Sequence, residues 1–202
     1  MSATISGPDG LSRCRWCAAA PEFMAYHDRE WGFPVDNDNR LFEKLCLEGF
    51  QSGLSWRTIL AKRENFRVAF HGFDFNRIAT FTDADVERLL NDKGIVRHRG
   101  KISAVINNAK RAQELVTQEG SLAAYIWRFE PKVEELAAAQ TASMSAASHT
   151  LSKDLKRRGW SFVGPTTVYA FMQAMGLIND HLYECIIREK VAQARVAFQP
   201  PR

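Results

Sequence analysis

The chain has 202 residues, 46% of them apolar and 25% charged, with a formal net charge of +4. That is enough for one good core or two small lobes, and it excludes a disordered or fibrous protein. No apolar run approaches membrane-spanning length and residues 1 to 10 lack a signal-peptide hydrophobic region, so a cytoplasmic protein with no membrane partner is expected.

Residues 1 to 13 read as a Gly/Pro/Ser tail. Cys14 to Trp31 then packs Trp16, Phe23, Tyr26 and Trp31 among His27, Asp28 and Glu30, a pattern of turns with one short helix. Asp38 or Asn39 caps the next helix, apolar at Leu41, Phe42, Leu45, Cys46 and Gly49 and polar at Arg40, Glu43, Lys44 and Gln51. Glu48 falls on its apolar stripe. A second helix is predicted from Ser55 or Trp56, with Ile59, Leu60, Phe66 and Phe70 inward, and Thr82 with Asp85 caps another before Val86, Leu89 and Leu90. After the break at Gly94, the spacing of Ile102, Val105, Ile106, Ala109, Ala112, Leu115 and Val116 predicts a long helix. Ser121 to Phe129 gives a short one, and residues 136 to 148 read as a surface connector. In the last third, Leu151 to Arg158 and Thr166 to Met175 are two helices joined by a tight glycine hairpin, in which Gly164 can take a positive φ and Pro165 suits the first turn. Gly176 ends the second, and Asn179 or Asp180 caps a final helix. Strand-like alternation is scarce, so the fold class is all-α.

An ionised carboxylate on a buried stripe takes a raised pKa, finds a partner or lines a pocket. The plain reading of Glu48 is a structural acid satisfied by an Arg or by amides of the turn that follows. Its neighbours argue otherwise: Gly49 and Gly53 remove bulk, while Phe50 and Trp56 supply flat apolar walls. Such a cleft suits a flat, cationic or amine-bearing ligand.

His181 and Cys185 are four apart on the predicted final helix and share a face; with Cys14 and His27 they make a plausible Cys2His2 set. Zinc held by four protein ligands is structural. Cys17 competes with His27 as the fourth ligand, and two buried thiols beside two satisfied histidines is the alternative. Two basic clusters, Arg97, His98, Arg99 and Lys101, and Lys153, Lys156, Arg157 and Arg158, lie at helix ends beside glycines, where solvated faces and phosphate contacts are both open.

Arg13-Cys14, Ala25 to Asp28 through Gly32, Cys46 to Trp56, Gly94 to Ile102, and Phe162 to Thr167 through His181 together resemble the 3-methyladenine DNA glycosylase I family of the helix-hairpin-helix superfamily, over roughly Arg13 to Cys185. The resemblance implies a helix-hairpin-helix glycosylase-like bundle with a zinc site joining the N- and C-terminal regions. It suggests one helical domain over residues 14–188, compact or in two lobes around a cleft, and a C-terminal tail over 189–202. It implies that Glu48, Tyr26 and Trp56 line the base pocket, with Phe23 at its edge where relatives can carry Tyr. It also implies that Cys14, His27, His181 and Cys185 hold zinc and that the Arg158-to-Thr166 turn is the DNA-binding hairpin. The superfamily commonly places a catalytic Asp after that hairpin; Asp180 is the nearest residue, and a capping role is expected for it.

The activity so implied is extrusion of 3-methyladenine from alkylated double-stranded DNA and hydrolysis of its N-glycosidic bond, releasing the free base from a monomeric enzyme. No lysine stands in the pocket motifs, so no lyase step is expected. Glu48 would lack a partner until a cationic base arrived. Leu54 is either a wedge for the vacated stack or a core leucine, and Lys153, Lys156, Arg157, Arg158 and amides near Gly164 would hold phosphates. A non-catalytic zinc-stabilised helical DNA-binding module competes with this reading; it needs the basic hairpin but no acid among aromatics. A small-molecule enzyme using the same cleft would leave the hairpin without a purpose.

Overall fold

The structure, a computed structural model, describes residues 3–201. It opens on an antiparallel hairpin, β1 (Thr4–Ser6) with β2 (Ser12–Cys14), where a tail was expected. Arg13 explains the order: its guanidinium takes both oxygens of Asp9 at 2.7 and 2.8 Å and reaches Asp28 at 2.9 Å, fastening the hairpin to the first helix. The helices follow as α1 (Pro21–Arg29), α2 (Asp38–Gln51), α3 (Trp56–Ala61), α4 (Arg63–Ala69), α5 (Phe75–Ile78), α6 (Asp83–Asn91) and α7 (Arg99–Glu119), then α8 (Leu122–Trp127), α9 (Ala146–Arg157), α10 (Pro165–Ala174) and α11 (Ile186–Ala197). The mostly helical class stands, with a two-stranded sheet added.

Helix α2 is the axis of the fold. Asn37, not Asp38 or Asn39, is its N-cap, accepting from the Arg40 amide; Asp38 instead accepts from the amides of Leu122 and Ala123 at the start of α8. Every residue from Leu41 to Phe50 is buried, because α3, α7, α8 and α10 all pack around it. An all-round buried helix has no solvated face, so Glu43 and Lys44, expected outside, lie within. Glu43 is satisfied there by Arg67 at 2.8 Å and Arg40 at 3.1 Å. The single helix predicted after Ser55 is two, α3 and α4, meeting at Lys62.

The α9–α10 hairpin is present, but its strained residue is Phe162 at φ +57, whereas Gly164 sits at φ −63 as the N-cap of α10. Asn108 on α7 holds the turn reciprocally, accepting from the Ser161 amide and donating to its carbonyl, both at 2.9 Å. A Cβ on Gly49 would stand 3.3 Å from Phe162 Cβ, so that glycine admits the hairpin to α2 and does not open the pocket as expected.

The final helix begins later than predicted. Cys185 is its N-cap, and His181 lies in the loop before it. Asp180 caps nothing in that helix: buried, it accepts from the Gln140 amide at 2.9 Å and Gln173 Nε2 at 2.6 Å, tying the 136–148 connector to α10, and burial raises its pKa. The tail assigned to 189–202 is helical to Ala197, with Val191 buried beside Cys14.

Gly176 combines φ +85 with a backbone approach no side chain tolerates: a Cβ there would meet the Pro34 backbone at 2.5 Å. Gly176→Ala is therefore expected to cost about 2–3 kcal/mol, from strain plus displacement of the segment leading into α2. A urea titration reads this as a lower midpoint at unchanged slope.

Candidate functional site

The site starts from the position of Glu48 in the last turn of α2. Its side chain is 6% exposed, and Lys44 one turn earlier supplies the partner it was expected to lack, Nζ to Oε1 at 2.7 Å. The same ammonium donates to the Tyr26 hydroxyl at 2.8 Å and stands 3.4 Å above the centroid of the Trp56 ring. The rings of Tyr26 from α1 and Trp56 from α3 lie 5.4 Å apart at 46°. Beside this cluster a cavity of about 170 Å³ is lined by Trp16, Tyr26, Trp31, Glu48 and Trp56, with Gln51, Ala170 and Gln173 completing it. Of the five sequence-predicted pocket residues, Glu48, Tyr26 and Trp56 are thus brought together.

Lys44 is the residue that sequence reasoning missed, and it removes the premise that no lysine stands in the pocket. The signal was present in the spacing, since Lys44 and Glu48 are an i,i+4 pair. Burial lowers the pKa of Lys44 against the opposing pull of Glu48. Burial first, then the charges of Glu48 and Glu30, raises Tyr26 well above its ordinary value and keeps the phenol neutral. Trp56 Nε1 is buried with no hydrogen-bond partner among the described residues, an orphan donor at the pocket wall that suits an acceptor-bearing ligand.

Phe50 does not belong to the site. Two residues beyond Glu48 is about 200° around a helix, so its ring points into the core, 4.6 Å from Phe66 and 6.1 Å from Phe70. Phe23 is half-buried and meets Trp16 edge-on at 5.9 Å, one ring removed from the cavity.

A second cluster joins the ends of the chain. The ligand atoms of Cys14, His27, His181 and Cys185, all buried, lie within 4.8 Å of one another and form a set that can hold a metal ion. Cys185 Sγ is 3.5 Å from His27 Nε2 and 3.6 Å from His181 Nδ1; Cys14 Sγ is 3.8 Å from His181 Nδ1, and the two ring nitrogens are 3.2 Å apart. The far nitrogen of each ring is engaged: His27 Nδ1 with Asp28 at 2.7 Å, His181 Nε2 with the Trp31 carbonyl at 2.9 Å. That engagement turns the other nitrogens toward the cluster. The choice between His27 and Cys17 falls to His27, while burial pushes the Cys17 thiol up to about 11.

A family model described as methyladenine glycosylase matches residues 16–189. The chain belongs to the methyladenine glycosylase family. DNA-3-methyladenine glycosylase 1 of Escherichia coli (strain K12) is 46% identical over 87% of this chain and 96% of its own length. DNA-3-methyladenine glycosylase of Haemophilus influenzae (strain ATCC 51907 / DSM 11121 / KW20 / Rd) is 43% identical over 86% and 96%. The fold is shared with the crystal structure of a 3-methyladenine DNA glycosylase I at 47% identity and a TM-score of 0.80, covering 86% of this chain and 98% of that one. It is shared as well with 3-methyladenine DNA glycosylase I from Staphylococcus aureus, at 34% identity, a TM-score of 0.82 and coverage of 87% and 96%.

In this glycosylase the turn after α2 presents Leu54, 43% exposed, toward solvent. Lys101, for which a solvated face and a phosphate contact were both open, takes neither place: it is buried behind that turn and donates to the carbonyls of Phe50 at 2.8 Å and Ser52 at 2.5 Å. Of the second basic cluster, Lys153 and Lys156 are exposed without an ion pair among the described residues. Arg157 pairs with Asp154, and Arg158 is committed to Asp154 at 2.8 Å and Glu119 at 2.9 Å. The helix of this cluster therefore offers two free cations where four were expected.

Proposed function

We propose that this glycosylase turns 3-methyladenine out of alkylated double-stranded DNA into the cavity between Tyr26, Trp56 and Glu48 and hydrolyses its N-glycosidic bond, leaving an abasic site and the free base. The observation that carries this reading is a buried acid beside two aromatic rings, with a cation standing over one of them. The relatives support it by name, as does a Staphylococcus aureus structure described as the basis of 3-methyladenine recognition.

The chemistry fits these residues. Methylation at N3 gives adenine a positive charge that departure relieves, so little acid catalysis is needed. Extrusion costs a few kcal/mol, stacking on an aromatic ring returns roughly 1–3 kcal/mol, and a desolvated cation–π contact adds up to about 2 kcal/mol. Glu48 contributes a negative charge aimed at the cationic base and at the positive charge that develops on the sugar. Water is the nucleophile and the reaction is monofunctional; in the free enzyme Lys44 stands against Glu48 and the Tyr26 hydroxyl. Asp180, engaged by Gln140 and Gln173, serves structure.

On the DNA side, Leu54 is the wedge that fills the vacated stack, and Lys153, Lys156 and the amides at the start of α10, around Gly164, contact phosphates. Arg157 and Arg158 contribute by ordering the end of α9. Leu54→Ala is expected to lower base release from duplex by about tenfold while sparing a single-stranded substrate. Equal losses on the two substrates would remove the wedge. The enzyme acts as a monomer on DNA in the cytoplasm, and no helix among the described residues is long and apolar enough to cross a membrane.

The Cys14, His27, His181 and Cys185 set holds zinc. Bonds of about 2.3 Å to sulfur and 2.0–2.1 Å to nitrogen in a tetrahedron put ligand atoms roughly 3.3–3.8 Å apart; the separations of 3.2, 3.5, 3.6 and 3.8 Å lie near that range, and all four ligand atoms lie within 4.8 Å of one another. Four protein ligands leave no open position, so the ion is structural.

Three tryptophans line the cavity, so the reading can be tested by titrating free 3-methyladenine against intrinsic fluorescence. Saturable quenching in the parent, lost in Trp56→Ala, is the expected result; no quenching by a folded parent counts against the pocket.

A further inference from the structure

Lys44 already makes the contacts proposed for the base. Its ammonium stands 3.4 Å above the Trp56 ring and 5.0 Å from the Tyr26 centroid, pairs with Glu48 at 2.7 Å and reaches the Tyr26 hydroxyl at 2.8 Å. The side chain is 7% exposed. The space left beside it, about 170 Å³, is below the roughly 300–1,000 Å³ usual for a small-molecule site. A flat cation cannot share the face of Trp56 and the oxygens of Glu48 with an ammonium, because the two would overlap and, inside a low-dielectric pocket, repel.

We infer that Lys44 is a tethered occupant of the base site, whose ammonium holds the cation position over Trp56 and against Glu48 in the free enzyme and yields it to an arriving methylated base. The inference rests on the function proposed above and adds a specificity-determining residue to it. A neutral base that displaced the ammonium would forfeit an ion pair and a cation–π contact and return neither, so it is rejected. A base carrying its own positive charge restores both. When the glycosidic bond breaks, the base becomes neutral, and the ammonium retakes the position and expels it. No bond to Lys44 forms or breaks in this cycle.

Two features favour this over a purely structural ion pair. A structural partner for Glu48 need only reach the carboxylate, whereas this one is laid across the recognition ring. Burial also works against its charge, a cost that an apolar residue at the same position of α2 would avoid. Besides Glu48, the charge of Glu30, 31% exposed and bound to Arg63 at 2.6 Å, favours the Lys44 ammonium.

The test uses the parent protein first. Brief acetylation with acetic anhydride, with and without saturating 3,9-dimethyladenine, which keeps the positive charge that the free 3-methyladenine product lacks, followed by peptide mass spectrometry, reads the accessibility of Lys44. Labelling of Lys44 is expected to rise when the base binds; equal or lower labelling in the bound state overturns the inference. Lys44→Met and Lys44→Gln supply the second readout, the glutamine keeping a donor for Glu48 if the methionine variant fails to fold. Without the occupant, a base is no longer held to the fraction of time the ammonium is elsewhere, so free 3-methyladenine should bind about tenfold tighter and product inhibition should deepen. Unchanged or weaker binding by a folded variant overturns the proposal. A folded parent that does not bind the cationic base counts against the function itself, which separates the two failures.

Discussion

Glu48→Gln is expected to reduce 3-methyladenine release by 10²–10³-fold, on the order of the loss when one preorganised electrostatic contact is removed. The amide keeps the shape of the acid and can still accept from the exocyclic amine of the base, so what disappears is the charge. That charge is felt most where the sugar becomes oxocarbenium-like, so the loss should appear in kcat more than in KM. The variant also leaves Lys44 beside a neutral group in a buried place. A buried ammonium whose pKa is already lowered can shed its proton, which limits the cost to about 1–3 kcal/mol, or roughly 2–4 °C in Tm per kcal/mol for a chain of this size. A single-turnover assay on methylated duplex, paired with a thermal scan, separates the two effects. Release unchanged from the parent would take Glu48 out of the chemistry.

The second large effect is expected at the four-residue cluster. Cys14 ends β2, His27 is in α1, and His181 and Cys185 precede α11, so one ion would fasten three distant segments. Its removal leaves two thiols and two imidazoles buried and crowded, with the termini free to part. Because a structural zinc site contributes its binding free energy to folding, Cys185→Ser or prolonged chelation should lower Tm by on the order of 10 °C or more. Cys17→Ser should leave metal content intact. Elemental analysis of the purified protein with thermal scans of both variants checks this: no stoichiometric zinc, with Cys185→Ser as stable as the parent, would contradict it.

Much of the site was legible because its residues carry unusual demands. An acid on an apolar stripe and a His/Cys pair at matching spacing are both expensive to bury without a purpose, and both led to clusters found in three dimensions. What was not legible depended on who surrounds whom. The amphipathic reading of α2 put Lys44 and Glu43 in water, since periodicity reports a helix's own pattern and cannot tell that four helices enclose it. Phe50 was drawn to the pocket by adjacency in sequence, although helical geometry sends it to Phe66. Gly164 looked like the flexible residue of the hairpin, but Asn108 grips the turn from α7 and moves the strain to Phe162, a tertiary contact 53 residues away. Arg157 and Arg158 counted as free cations until Asp154 and Glu119 were seen beside them.

The most direct measurement is chromatography of the free bases that the parent protein releases from methylated duplex DNA. The account predicts 3-methyladenine as the dominant product, with abasic sites left in strands that stay uncut until alkali is added. A folded, metal-loaded protein that binds the duplex and releases no methylated base would contradict it.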